Sequence, residues 1–232
     1  MHIVRSGLRA GVARDPDTIA AAQALRRLVF RGGAAPDVDH LDDLCDHVVL
    51  RDDDDPRQGV IGAMRVARGT GYTSREFDVS GLVSSGRCVA EIGRTCLHPD
   101  WRGGIGAAVL FEAALDRLRG IGAEIVCGVA SFPGADPVRH MPALSALRDR
   151  ALAPAGIRPV AWGPQAVPIE GGVRASAMRD VPALIKAYLR AGAWVGEGAW
   201  VDRHLDTVDV CIVLDLDRMC LPVAARRLRA VG

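Results

Sequence analysis

Between Glu91 and Gly106 the chain reads Glu-Ile-Gly-Arg-Thr-Cys-Leu-His-Pro-Asp-Trp-Arg-Gly-Gly-Ile-Gly. The stretch Arg87–Leu97 has the alternation and residue types of a strand, and His98–Pro99–Asp100–Trp101 reads as a turn. From Gly103 to Gly120, apolar residues at Ile105, Val109, Leu110, Ala113, Leu115 and Leu118 recur at helical spacing. A strand that feeds an Arg-Gly-Gly turn and then a helix leaves backbone N–H groups pointing outward at a helix N-terminus. Those groups and the helix dipole suit a phosphate or pyrophosphate. Arg102 adds a fixed positive charge, and Gly103, Gly104 and Gly106 let a ligand approach the backbone closely. A plain structural turn accounts for the same residues. The spacing does not fit the dinucleotide pattern G-x-G-x-x-G, and no Gly-Lys-Ser/Thr of a Walker loop occurs.

The flanks supply alternating strands and helices. Ala21, Ala22, Leu25, Leu28 and Val29 predict a helix over Thr18–Phe30, capped by Asp17 or Thr18. A hairpin is expected from His47–Leu50 and Val60–Val66, and a buried central strand from the unbroken apolar run Glu124–Ala130. Helices are expected over Pro137–Leu152, Val181–Ala191 and Asp217–Arg229, and a strand over Thr207–Leu214. This order predicts an α/β (α+β) fold with a central mixed, twisted sheet flanked by helices. No linker or internal repeat divides the chain, so residues 1–232 are expected to form one domain with an elaborated C-terminal part from about 153 to 232.

Composition narrows the functional classes. A net charge of +1 gives no global pull toward nucleic acid. The cysteines at 45, 88, 96, 127, 211 and 220 have no metal-site spacing, and Cys45, Cys96, Cys127 and Cys211 lie inside apolar runs as small hydrophobes. No metal site is expected. No run is long enough to span a bilayer, and Met1–Arg14 lacks a secretory apolar core. The expected location is the cytoplasm, with peripheral contact at the inner face of the membrane as a further option.

The segment from His98 to Gly103, its helix and the strand Ile125–Ala130 resemble the acyl-CoA-binding motif of GNAT acyltransferases. Position 105 is isoleucine where the family pattern has glycine. A wider resemblance runs through Leu25–Phe30, Leu44–His47, Gly62–Val66, Glu91–Cys96, Gly128–Gly134, Pro182–Arg190, Gly196–Trp200 and Asp206–Val210. Together these are similar to the ornithine–acyl carrier protein N-acyltransferases, the GNAT branch related to acyl-homoserine lactone synthases. The resemblance implies transfer of a 3-hydroxyacyl chain from acyl carrier protein to the α-amine of L-ornithine, giving lyso-ornithine lipid. No permanently bound cofactor is expected, because the donor travels on phosphopantetheine, on acyl carrier protein or on CoA.

The resemblance also assigns roles. Glu91 and Arg94 take the catalytic positions. An ammonium nucleophile must lose a proton before it attacks a thioester, and a carboxylate of raised pKa can accept it. A Glu91–arginine pair that only holds the sheet is the alternative. Residues three apart on a regular strand face opposite ways, so a bulge or splay is required to bring both to one site. Arg26, Phe30, Asp43, Asp46 and Arg65 fall at acceptor-binding positions, where acidic groups can hold the cationic ends of ornithine and Arg65 or Arg94 its carboxylate. Each has a structural alternative: a helix-surface charge for Arg26, a core aromatic for Phe30, a strand-entry cap for Asp46. Donor-binding positions are Arg102, Gly103, Gly104, Gly106 and Ser131. Three functions are to be separated: the ornithine N-acyltransferase, a lactone synthase or other N-acyltransferase using a different amine or acyl-CoA, and a non-enzymatic binder of acyl carrier protein or acyl-CoA.

Overall fold

The computed structural model describes residues 3–5, 7–31, 37–172 and 175–219. The chain opens with a hairpin, β1 (Ile3–Arg5) and β2 (Leu8–Val12), followed by helix α1 (Pro16–Arg31). Strands β3 (Asp46–Asp52), β4 (Val60–Arg68) and β5 (Phe77–Asp78) precede a short helix α2 (Ser80–Ser84). Strand β6 (Val89–Leu97), helix α3 (Gly106–Gly120), strand β7 (Ile125–Pro133) and helix α4 (Pro137–Ala151) come next. Two-residue strands β8 (Val160–Ala161) and β9 (Ala166–Val167) lead to helix α5 (Ala183–Arg190). The described chain closes with β10 (Trp194–Val195), β11 (Ala199–Asp202) and β12 (Thr207–Asp215).

The elements form two compact units. One comprises Met1–Arg68 and Ile92–Gly122, the other Gly69–Glu91 and Ala123–Gly232, so the boundary falls inside β6. In the first unit β2 pairs antiparallel with both β1 and β3, β3 pairs with β4, and β6 lies beside β4. Alternation along β4 faces two helices. Ala63 packs with Ala22 and Leu25 of α1, whereas a Cβ at Gly62 would point to Leu97 and to Leu110 of α3. That Cβ would sit 2.8 Å from Leu97 Cδ2 and 3.0 Å from Leu50 Cβ. Glycine at 62 therefore permits the close seat of this layer. A Gly62→Val substitution is expected to cost about 1–3 kcal/mol by overpacking, read as a lower urea midpoint at constant m-value.

In the second unit the first three residues of β6 pair parallel with β7, and β7 pairs antiparallel with β12 along nine residues. Strands β10 and β11 both pair with β12, and β9 pairs with β11. Phe77, Val79, Leu82, Ile125, Cys127, Cys211 and Val213 form its buried cluster. The apolar run expected as a central strand is thus β7, flanked by partners on both sides.

Several expectations shift at the edges. The hairpin β1–β2 falls in a stretch with no expected element, because its strands are short and Arg5 and Arg9 interrupt their apolar residues. The cap of α1 is Asp15, whose carboxylate accepts from the Thr18 backbone N–H and hydroxyl, rather than Asp17 or Thr18. Leu28 was assigned to the apolar face of α1 yet is 47% exposed, while Arg26 is 1% exposed. The inward stripe is Thr18, Ala22, Leu25 and Arg26. Of the helix expected over Asp217–Arg229, the described residues show a 3-10 turn at Leu216–Arg218, and the part from Cys220 onward lies outside them.

Candidate active site

The first unit holds a network of arginines and aspartates built on α1, β4, β6 and the segment before β3. Arg26 donates from Nε to Asp37 at 2.8 Å, from Nη1 to Asp42 at 2.6 Å, and from Nη2 to the Asp37 carbonyl at 2.8 Å. Arg65 Nη1 donates to Asp39 at 2.7 Å and to Asp42 at 3.2 Å. Arg94 pairs with Asp37 at 3.3 Å and Asp39 at 3.8 Å, and its guanidinium lies 5.9 Å from the Phe30 ring centroid. Asp42 is thus shared by Arg26 and Arg65, which explains how two guanidiniums survive burial. Of the predicted acceptor residues, Arg26, Arg65 and Phe30 come together here, along with Arg94. Asp46 instead pairs with Arg117 at 2.6 Å, and Asp43 is exposed. Asp37, Asp39 and Asp42 are the acidic members that sequence reasoning missed. Five aspartates crowd positions 37–46, and no spacing rule says which of them turn inward.

Arg94 has φ +50, a left-handed conformation rare for a residue with a side chain. Regular strand alternation is therefore interrupted at Arg94. Such backbone is costly and persists where its surroundings hold it. Here the surroundings are Asp37, Asp39 and Phe30.

Glu91 belongs to the second unit. Its carboxylate accepts from the Tyr72 backbone N–H at 3.1 Å and the Thr73 backbone N–H at 2.7 Å, and the residue is 7% exposed. Register puts Glu91 opposite Cys127 and Ser131 opposite Asp209. Asp202 lies opposite Thr207. Residues two apart share a face, so Glu91, Ser131, Asp209 and Asp202 all project from one face of this sheet. Ser131 is exposed; Asp202 and Asp209 are buried. The Tyr72 hydroxyl reaches Asp202 at 3.5 Å.

The donor turn follows the sequence closely. Helix α3 starts at Gly106, and Ile105 at its N-cap provides no side-chain hydrogen bond. With no cap from its own N-cap side chain, this end offers amide donors that suit an anionic ligand. Arg102, Gly103 and Gly104 are exposed, and Gly103 has φ +86. Gly106 does different work: a Cβ there would lie 3.1 Å from Leu50 Cδ2, so its bareness seats α3 on the sheet. His98 stays within its turn, accepting from the Asp100 backbone N–H at 3.4 Å.

Two sets of side chains among the described residues have metal-like proximity, Asp42–Cys45–His47 and Glu76–Asp202–Asp209. In the first, Arg26 and Arg65 already neutralise Asp42, and burial pushes the Cys45 thiol up to about 12, far from a thiolate ligand. The second is all carboxylate, and Asp202 also accepts from the His204 and Leu205 backbone N–H groups. Burial likewise raises the thiol of Cys96 to about 12 and pushes those of Cys127 and Cys211 well up, so these are packing groups.

The network fixes how stability depends on acid. Burial would raise the carboxyls of Asp39 and Asp42, but the hydrogen bonds and charges of Arg65 and Arg26 hold both below 3.8. Burial lowers His47 below 6.5; its Nε2 lies 3.2 Å from the Asp42 carbonyl. A depressed histidine contributes stability that is complete above its unfolded value and is lost as pH falls through its folded one. Depressed carboxyls follow the same sense lower down. The urea midpoint is expected to start falling as pH drops below 6.5 and to fall faster below 3.8. A His47→Gln variant should lose the first step and keep the second.

Residues 27–112 match the family model described as an acetyltransferase (GNAT) domain. The fold is similar to that of a Lactobacillus plantarum structure designated an N-acetyltransferase, with 17% identity, a TM-score of 0.52, and coverage of 91% of this chain and 99% of the other. The family match, the mixed sheet with its flanking helices and the chain's relatives make this an acyltransferase of the GNAT class. The chain is 40% identical over 232 residues to the L-ornithine N(alpha)-acyltransferase of Rhodobacter capsulatus, covering 90% of each. It is 32% identical over 235 residues to the enzyme of the same name from Agrobacterium fabrum, covering 89% of this chain and 80% of the other. The protein belongs to the L-ornithine Nα-acyltransferase family.

Proposed function

We propose that the protein transfers a 3-hydroxyacyl chain from the phosphopantetheine thioester of acyl carrier protein to the α-amine of L-ornithine, giving lyso-ornithine lipid. The acceptor rests on one observation: the likeness to proteins named L-ornithine N(alpha)-acyltransferase extends over 90% of the chain. The donor reading draws on the uncapped start of α3 beside Arg102, and on isoleucine at position 105 where ordinary acetyl-CoA enzymes have glycine.

Chemically, Glu91 takes a proton from the α-ammonium, directly or through one water. The freed nitrogen attacks the thioester carbonyl carbon and the C–N bond forms; as the C–S bond breaks, the nitrogen's second proton passes to the departing sulfur, which leaves as the pantetheine thiol. Arg94 offers its charge to the acceptor's carboxylate and Asp39 to its side-chain ammonium. Within the arginine–aspartate network these two keep the greater exposure of their side chains, 12% and 24%, against 1–5% for Arg26, Asp37, Asp42 and Arg65. Arg26 and Asp42 then act from behind, holding Arg65 and the loop in place. Ser131 and the donor turn receive the thioester arm. The enzyme works at the cytoplasmic face of the membrane, where its single-chain product would partition; no helix among the described residues is long and apolar enough to cross a membrane.

The test is thiol release on mixing the purified protein, 3-hydroxyacyl carrier protein and ornithine, with lysine, glycine and S-adenosylmethionine as competing amines. Release with ornithine, and a product of the mass of lyso-ornithine lipid, is expected. No release with any basic amino acid overturns the proposal. Capture of the carrier protein without turnover on any amine would make the protein a binding module.

A further inference from the structure

We infer that Gly71 is a positioning residue for the reaction: its missing side chain and the turn it opens fix where the Glu91 carboxylate points. The inference rests on the reading of Glu91 as the base. A glutamate side chain has three rotatable bonds, and a base acts well only when its oxygen is held within hydrogen-bond reach of the proton it removes. Glu91 is held by backbone. The Tyr72 N–H donates to Oε1 at 3.1 Å and the Thr73 N–H to Oε2 at 2.7 Å, one donor on each oxygen. These two donors fix the plane of the carboxylate and the direction in which it points.

Gly71 completes the clamp. It has φ +23, and a Cβ there would lie 3.1 Å from Glu91 Oε1, 3.4 Å from its carboxyl carbon and 3.5 Å from Oε2. Its three nearest neighbours are thus all atoms of that one carboxylate. Any side chain at 71 must push the carboxylate or the turn. The turn has little room to move. The Gly69 N–H donates to the Val89 carbonyl at 2.8 Å, the Ser74 N–H to Thr70 at 3.1 Å, and the Ser74 hydroxyl to the Gly71 carbonyl at 2.9 Å. The Tyr72 ring is held at its far end by Asp202 and on its face by the Arg75 guanidinium, 5.6 Å away. The 69–73 segment therefore grips β6 twice, at Val89 and at Glu91.

The same segment supplies its own control. Gly69 has φ +84, and a Cβ there would meet nothing within 4 Å. Gly69→Ala imposes left-handed strain in the same turn without touching the carboxylate, whereas Gly71→Ala imposes strain and contact together. The experiment compares kcat per folded molecule for both variants with 3-hydroxyacyl carrier protein and ornithine. Gly71→Ala is expected to lose about 10–100-fold in kcat, the scale of an ångström-sized misplacement, with KM within about twofold. Gly69→Ala is expected to stay within about twofold of the parent. The Gly71→Ala deficit should narrow as pH rises past about 8, where a free α-amine loses its proton in water and needs the base less. A merely structural role would leave the deficit constant with pH.

Equal kcat losses in the two variants, or a deficit that does not change with pH, overturn the inference. Retention of full turnover by Glu91→Gln would instead overturn the reading of Glu91 as base, so the two failures are distinguishable. Where Gly71→Ala does not fold, amide exchange decides. In Glu91→Ala, protection of the Tyr72 and Thr73 amides should fall by roughly tenfold, the worth of one charge-assisted hydrogen bond, with the Gly69 amide unchanged. Unaltered protection at both overturns the clamp.

Discussion

Asp42→Ala is expected to lower the free energy of unfolding by about 3–5 kcal/mol, whereas Asp43→Ala, one residue on, should stay within about 0.5 kcal/mol. Asp42 accepts from Arg26 at 2.6 Å and from Arg65 at 3.2 Å, and from Gln23 at 3.2 Å. Its removal leaves two guanidiniums, 1% and 5% exposed, short of a counter-charge in a place that water does not reach. Breaking one partner of a buried ion pair costs far more than the pair contributes, because the survivor stays desolvated. Asp43 is exposed and carries no such liability. Urea unfolding of both variants at pH 7 checks the contrast. Comparable midpoints would mean that the buried network is not what holds the segment between α1 and β3.

Glu91→Gln should lower kcat by about 10²–10⁴-fold, the usual contribution of a positioned general base. The substitution also has a structural cost. Both oxygens of Glu91 accept from backbone N–H groups, so an amide at this position turns its NH2 toward either Tyr72 or Thr73 and sets donor against donor. A stability loss of about 1–3 kcal/mol is expected. Turnover must therefore be normalised to the folded fraction, by following the thermal transition of the same sample. A variant that folds, binds ornithine and retains the parent kcat would remove Glu91 from the chemistry and leave it as an anchor for the 71–73 turn.

The strand–turn–helix proposed to receive the donor was legible in the sequence almost entirely. The strand–turn–helix at Glu91–Gly120 depends on contiguous residues: alternation, then Pro99, then Gly103 with its positive φ, then a 3.6-residue apolar repeat. Local signals of this kind need no distant partner. Even here the role of Gly106 was not legible, since its tight contact is with Leu50, more than fifty residues earlier in the chain.

The arginine–aspartate network was legible only in part. Arg26, Phe30, Arg65 and Arg94 were picked by pattern, and the fold gathers them. The acidic partners were not, because five aspartates between 37 and 46 are chemically alike and differ only in which way the backbone turns them. An irregularity in β6 was expected from the three-residue spacing of Glu91 and Arg94, and the left-handed backbone of Arg94, φ +50, is such an irregularity.

By itself, then, the amino-acid order determined most of the central elements, the strand–turn–helix after Glu91 and the family, because these rest on short-range periodicity and on matches spread along the chain. Tertiary structure alone decided which charges are buried and what holds Glu91. Burial of Arg26 beside Asp42, and the grip of the Gly71–Thr73 turn on Glu91, join residues sixteen or more positions apart. Such pairings follow from which side chains share a desolvated space, where an unpaired charge is costly. No local rule of sequence encodes that condition.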